Sequence, residues 1–305
     1  MSHKVLVILG PTASGKSAVA LEVAERLGGE IISADAVAVY RGLDIGAAKP
    51  TPEERRRVRH HLLDVVRLDE DFNAARFAEL ARRAAEDILD RGRRVVLAGG
   101  SGLYLRAFLG GLFPAPPVDR ELRASLKAEA ERDPEGLHRR LAKVDPAAAS
   151  RIEPRDSVRV TRALEVFSAT GRPISVWQEE HAFGQRPFEA LKLGLSLNRQ
   201  DLARRIEVRT DQMLAQGWLE EVAGLLGRGA DPQARPLQSI GYKQIAALLR
   251  GELNLSQARS IIIKETKRLA KRQMTWFRAD KEIVWLPAGK REAFVERAGR
   301  FWEAE

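Results

Sequence analysis

Cysteine is absent from the 305-residue chain. That excludes disulfides and every thiolate metal site, and it points to a reducing cytoplasm as the protein's compartment. Histidine is sparse, with five in the chain. The adjacent pair His60-His61 has no acidic or histidine cluster at ligand spacing beside it, so no histidine-built metal centre is expected. No apolar run reaches the roughly 18 residues that a membrane-spanning helix needs. The N-terminus lacks a basic segment followed by an apolar one. Neither membrane insertion nor secretion is expected, and no repeat or low-complexity tract is visible.

What is present describes a globular protein, 44% hydrophobic and 30% charged. The length suggests two domains, at roughly 150 residues each. Lys and Arg outnumber Asp and Glu by 51 to 42, a net charge of +9. Arg dominates the basic set and suits bidentate phosphate contacts. A polyanionic partner fits that balance, as does a solvated basic surface.

Near the N-terminus, Gly10, Pro11, Thr12, Ala13, Ser14, Gly15, Lys16 and Ser17 match G-x-x-x-x-G-K-[ST]. An apolar run, Lys4–Leu9, feeds this segment. A helical pattern with Val19, Val23, Ala24 and Leu27 on one face follows it, up to Gly28. Strand, glycine loop and helix together form a phosphate cradle. Glycines let backbone N–H groups converge, the helix start adds its positive end, Lys16 supplies a point charge, and Ser17 can hold Mg2+. Such a loop grips two linked phosphates without demanding adenosine.

Further strands are expected at Glu30–Ser33, His61–Val65 and Arg94–Ala98, with an amphipathic helix at Ala74–Arg91. This alternation predicts an α/β fold, a P-loop NTPase-like parallel sheet flanked by helices. A Pro-rich break, Phe113–Asp119, opens a nearly all-helical stretch. A strand at Leu191–Leu197 then restores the α/β pattern, with helices at Leu202–Gln216, Trp218–Leu226, Ser239–Leu249 and Ser256–Phe277. A last strand at Glu282–Leu286 precedes a terminal helix. The expected organisation is a core of residues 1–114 and 191–305 interrupted by an all-helical insertion domain, 115–190.

An ordinary ATPase needs an acid after a strand to hold Mg2+, yet Val95–Ala98 ends in Gly-Gly. Asp64 is a weak candidate and reads better as a structural strand-end acid. Asp35 stands just past a strand, at the carboxyl edge where open α/β sheets bind ligands. It could accept a proton from a nucleophile approaching bound phosphates. Ser101 occupies the same edge, in Gly-Gly-Ser-Gly. Basic residues recur on several helices: Lys264, Lys267, Arg268, Lys271 and Arg272 on one, Arg205 and Arg209 on another, Arg159 and Arg162 on a third. Together they suggest a negatively charged partner much larger than ATP. A small-molecule kinase and a non-catalytic nucleic-acid binder stay open on these residues alone.

Collinear segments along almost the whole chain resemble the tRNA dimethylallyltransferases. They are Gly10–Ser17, Ile31–Asp35, Tyr40–Gly46, Ala48–Pro50, His61–Asp64, Gly99–Tyr104, Arg162–Val166, Arg205–Glu207, Ile240–Lys243 and Ala270–Phe277. The resemblance implies transfer of a dimethylallyl group from dimethylallyl diphosphate to N6 of adenosine 37, in the anticodon stem-loop of tRNA. It further implies that Gly10–Ser17 holds the diphosphate, Ser17 carries Mg2+, and Asp35 is general base. Ser101 and Arg209 would assist at the reaction centre. The tRNA would meet Asp35, Ala36, Val37, Ala38, Arg123, Arg159, Arg162, Gln238, Gly241, Lys243, Lys267, Arg268, Lys271 and Arg272. A cytoplasmic monomer is the expectation. Ala36, Ala38, Ala47 and Val158 depart from the family's common Ser, Gln, Thr and Gln.

Overall fold

A computed structural model describes residues 3–114, 116 and 119–304. Ala115, Pro117 and Val118 of the Pro-rich break lie outside the described residues. The chain divides into two compact units, Met1–Leu109 with Pro187–Glu305, and Gly110–Arg186. The boundaries expected from sequence, 115 and 190, fall a few residues further along.

The first unit runs β1 (Lys4–Leu9), α1 (Lys16–Arg26), β2 (Gly29–Ala34), α2 (Pro52–Arg57), β3 (His60–His61), α3 (Ala74–Asp90), β4 (Arg94–Gly99) and α4 (Gly102–Gly110). The chain then builds α5 (Arg120–Arg132), α6 (Pro134–Val144), α7 (Pro146–Ala149), α8 (Ser157–Thr170) and α9 (Ile174–His181) in the second unit. It returns with β5 (Glu189–Ser196), α10 (Arg199–Ala215), α11 (Trp218–Gly227), a 3-10 turn (Arg235–Gln238), α12 (Tyr242–Leu249), α13 (Leu255–Arg278), β6 (Val284–Pro287) and α14 (Arg291–Glu303). Among the described residues, no helix is long and apolar enough to cross a membrane.

The six strands form one all-parallel sheet in the order β3-β2-β4-β1-β5-β6. β1 is central, and Val5–Leu9 are buried on both sheet faces, which is why they read as a continuous apolar run rather than an alternating one. Leu6 and Ile8 join Val19 and Val23 of α1, Val96, Leu193 and Phe294 of α14 in the core on one face. The carboxyl ends of β1, β2 and β4 thereby come side by side, bringing the phosphate loop, Asp35 and the Gly100-Ser101 turn to one edge.

β3 is shorter than the expected His61–Val65. Leu62 and Asp64 take left-handed φ values of 60° and 58°, and an extended strand cannot pass through them. Beyond it an isolated bridge, Tyr40 with Val66, joins the two segments. α12 starts at Tyr242 rather than Ser239, because Gly241 just before it has φ +95°. α2 is an addition to the expected elements, and its sequence signal is local: Thr51 and Glu54 close a reciprocal capping box around Pro52.

The second unit is punctuated by aspartates. Asp119, Asp133, Asp145 and Asp156 each accept a backbone N–H at the start of α5, α6, α7 and α8. Prolines at the first position of α6 and α7 complete the start signal. Leu126, Leu137, Leu141, Val160, Leu164 and Ile174 form its own apolar core.

Candidate active site

The phosphate loop links β1 to α1 with a curled backbone. Ala13 has φ 63°, Gly15 has φ 94° and stands at the N-cap of α1, and the Ser14 N–H donates to Pro11 O at 3.2 Å. Gly10 leaves room for the curl, since a Cβ there would lie 2.9 Å from Ser14 Oγ. That hydroxyl is buried with no hydrogen-bond partner among the described residues. Arg205 of α10 donates to Ser14 O at 3.1 Å and holds the loop from outside.

Asp35 follows β2. Its Oδ1 accepts the N–H groups of Val37 (2.8 Å) and Ala38 (3.1 Å), which fixes the carboxylate, and among the described residues Oδ2 has no hydrogen bond. Lys16, Ser17, Asp35 and Arg209 line one cavity of about 130 Å3, together with Thr12, Ser33, His60 and Gln273, and with apolar Ala20, Ile31, Leu63 and Ala98. Burial, then the Arg209 charge, pull the Lys16 ammonium down from 10.5 to about 8, while Asp35 opposes them. Burial also lowers Arg209, again against Asp35. Two cations held at a desolvation cost beside one carboxylate form a site that an entering anion relieves.

Sequence reasoning missed the role of Gln273, which it quoted only inside the Ala270–Phe277 segment. Its Oε1 accepts the Thr12 N–H at 2.8 Å, and its Nε2 donates to Gly100 O at 3.0 Å. Lys49 is a second such residue. Its side chain is 2% exposed, and Nζ donates to Tyr40 O, Asp44 and Asp64 at 2.7, 2.8 and 2.5 Å. Asp64 also accepts from Arg55 at 3.0 Å. It therefore pins the 40–50 loop, as its reading as a structural acid anticipates. His60 Nδ1 donates to Val58 O (2.8 Å), and His61 meets the buried Glu30 at 2.7 Å.

Not every expected residue reaches this cavity. Gly99 lines it, but Ser101, Ala36 and Val37 do not. In the helical unit, Arg123 and Arg162 both bond the buried Glu165, at 2.5–2.7 Å and 3.1 Å, while Arg159 pairs with Asp156 at 3.1 Å. In the first unit, Lys267 pairs with Glu207 (2.6 Å) and Lys243 with Glu265 (3.1 Å). Gln238 donates to Pro232 O, and Gly241 packs on the Trp218 ring. Arg268, Lys271 and Arg272 are exposed on the outer face of α13, joined by Lys264. Of the basic stripe, these four are the ones directed to solvent.

A family model described as IPP transferase matches residues 38–280. The tRNA dimethylallyltransferase of Geobacter metallireducens is 53% identical over 284 residues, covering 93% of this chain and 92% of that relative. The full-length tRNA isopentenylpyrophosphate transferase of Bacillus halodurans superposes with a TM-score of 0.73 at 36% identity, over 99% of this chain and 97% of that one. A eukaryotic dimethylallyltransferase acting on tRNA gives a TM-score of 0.81 at 27% identity, over 97% of this chain and 77% of that one. The family match begins after Ser17, so it does not lean on the phosphate-loop pattern, and it runs through Asp64, Arg209 and Gln273 alike: the chain belongs to the IPP transferase family.

Proposed function

We propose that the protein transfers the dimethylallyl group of dimethylallyl diphosphate to N6 of adenosine 37 in the tRNA anticodon stem-loop. One observation carries this reading: Asp35 faces the same small cavity as Lys16 and Arg209, beside a phosphate loop, with no strand-end acid of the ATPase kind after β4. The leaving group is a diphosphate, so the charge that grows as the allylic C–O bond breaks falls on the loop N–H groups, Lys16 and Arg209. The electron pair departs with the diphosphate. The adenine amine forms the new C–N bond, and its proton passes to Asp35. That amine is a weak nucleophile in a single-stranded loop, where a base can be splayed out and aligned. The exposed cations of α13 supply contacts to the RNA backbone.

Ser17, an exposed hydroxyl in the first turn of α1 that lines the cavity, fits Mg2+. A hard cation takes such an oxygen together with diphosphate oxygens and waters, and bound there it would neutralise the leaving group. Among the described residues, no group of three acids or histidines offers a rival metal site.

Incubation with labelled dimethylallyl diphosphate and unmodified tRNA tests the reading. Label in the RNA is the expected result, and RNA left unlabelled by folded enzyme refutes it. AMP in place of tRNA, and labelled ATP in place of the prenyl donor, discriminate adenylate prenylation and kinase activity.

A further inference from the structure

Gln273 joins two segments that are far apart in sequence, at the point where the chemistry converges. One end of its carboxamide accepts from Thr12 in the phosphate loop; the other donates to Gly100, the residue before Ser101. Few side chains can do this. The bridge needs one donor and one acceptor on a single neutral group of this length. Glu lacks the donor and adds negative charge beside a diphosphate, Asn is one methylene short, and Lys or Arg has no acceptor. The supporting helix is firmly placed. Ile262, Ile263, Ala270 and Phe277 of α13 are buried, and Trp276 lies against Gly102, where a Cβ would come within 2.3 Å of its ring. At about 100° per residue, Gln273 sits half a turn around α13 from Lys264. The helix thus shows cations to solvent on one face and the bridging amide to the active site on the other.

We propose that Gln273 is a positioning residue: it sets the spacing between the phosphate loop and the Gly100-Ser101 edge, and so sets the affinity of the site for the prenyl diphosphate. This rests on the reading of the cavity as a dimethylallyl diphosphate site. The bridge acts on the diphosphate alone, although α13 also carries the RNA-facing cations.

Two variants test it. Gln273→Met keeps the length and removes both hydrogen bonds. Gly100→Ala places a Cβ 2.5 Å from Gln273 Nε2, a flexible end that swings aside, and so breaks the same bridge without touching Gln273. Calorimetry with dimethylallyl diphosphate, filter binding with tRNA, steady-state kinetics and exchange of the Thr12 amide proton are measured for each. Expected are a Kd and KM for the diphosphate raised on the order of tenfold, faster Thr12 exchange, and an unchanged tRNA Kd. The double variant is no worse than either single one, because both remove one interaction. Wild-type diphosphate affinity in both variants, an equal loss of tRNA affinity, or multiplying effects in the double variant overturns the proposal. Wild-type enzyme that neither binds the diphosphate nor labels tRNA overturns the underlying reading and the proposal with it.

Discussion

Replacing Lys16 with methionine probes the electrostatics of the site before any substrate is added. The folded state holds the Lys16 proton less tightly, at about 8 against 10.5, with burial the main cause and Arg209 the second. The unfolded chain therefore binds more protons between about pH 8 and 10.5, and stability rises with pH across that window. Below about pH 8 the penalty is complete. A drop of about 2.5 costs at most about 3.4 kcal/mol. Lys16 is half-buried, and solvent screening reduces the cost to about 1–2 kcal/mol. At about 2–4 °C per kcal/mol, Lys16→Met is expected to melt roughly 2–8 °C above wild type at pH 7. The difference closes by about pH 10.5. The same variant loses diphosphate binding. In the wild type about half of Lys16 is deprotonated at pH 8, so an arriving diphosphate, itself fully ionised well above about pH 6, draws up about half a proton. Calorimetry in buffers of different ionisation enthalpy reads that uptake. Coincident melting curves at pH 7, or binding at pH 8 with no proton uptake, would refute the reasoning.

Other perturbations separate the parts of the site. Asp35→Asn keeps the carbonyl oxygen that accepts from Val37 and Ala38, so the fold and tRNA affinity persist while kcat falls by roughly 10²–10⁴; single-turnover prenylation checks this. Alanine at both Lys271 and Arg272, exposed on α13, weakens tRNA binding and flattens its log–log salt slope by about 1.4–1.8. Diphosphate affinity measured without RNA stays at the wild-type value. Gly241→Ala forces a side chain onto a residue at φ +95° and sets its Cβ 2.0 Å from Trp218 Cη2. A loss of roughly 3 kcal/mol or more is expected in urea unfolding.

Local signals made the phosphate-loop and Asp35 part of the site readable. A strand, two glycines, Lys16 and a helix start lie within one continuous segment, and Asp35 closes the next strand; nothing non-local is needed to place them at a sheet edge. The order β3-β2-β4-β1-β5-β6 is a different matter, because strand neighbours are chosen by packing between segments far apart. For the same reason no pattern around Arg209 says that it meets Lys16 and Asp35, and none around Gln273 says that it meets Thr12. The basic residues show the limit from the other side. Spacing puts Lys267 on the cationic stripe, yet Glu207 on α10 takes it; Arg123 and Arg162 look like free guanidiniums until Glu165 is found between them. Short β3 has a physical cause as well, since two non-glycine residues at positive φ are invisible to hydrophobic patterning.

The place of β5 in the chain has a consequence for synthesis on the ribosome. β1 needs β4 on one side and β5 on the other, and β5 starts at Glu189, after the 77 residues of Gly110–Arg186 have been made. At about 5–20 residues per second, that delay lasts roughly 4–15 s. Throughout it the nascent chain carries Val5–Leu9 with one unpaired apolar edge, the kind of surface that recruits a holding chaperone. The helices emerging meanwhile have an apolar centre of their own and mostly local contacts, which close quickly. A ribosome stalled just before residue 189 should therefore display a chaperone-bound N-terminal strand, and one stalled well past residue 196 should release it.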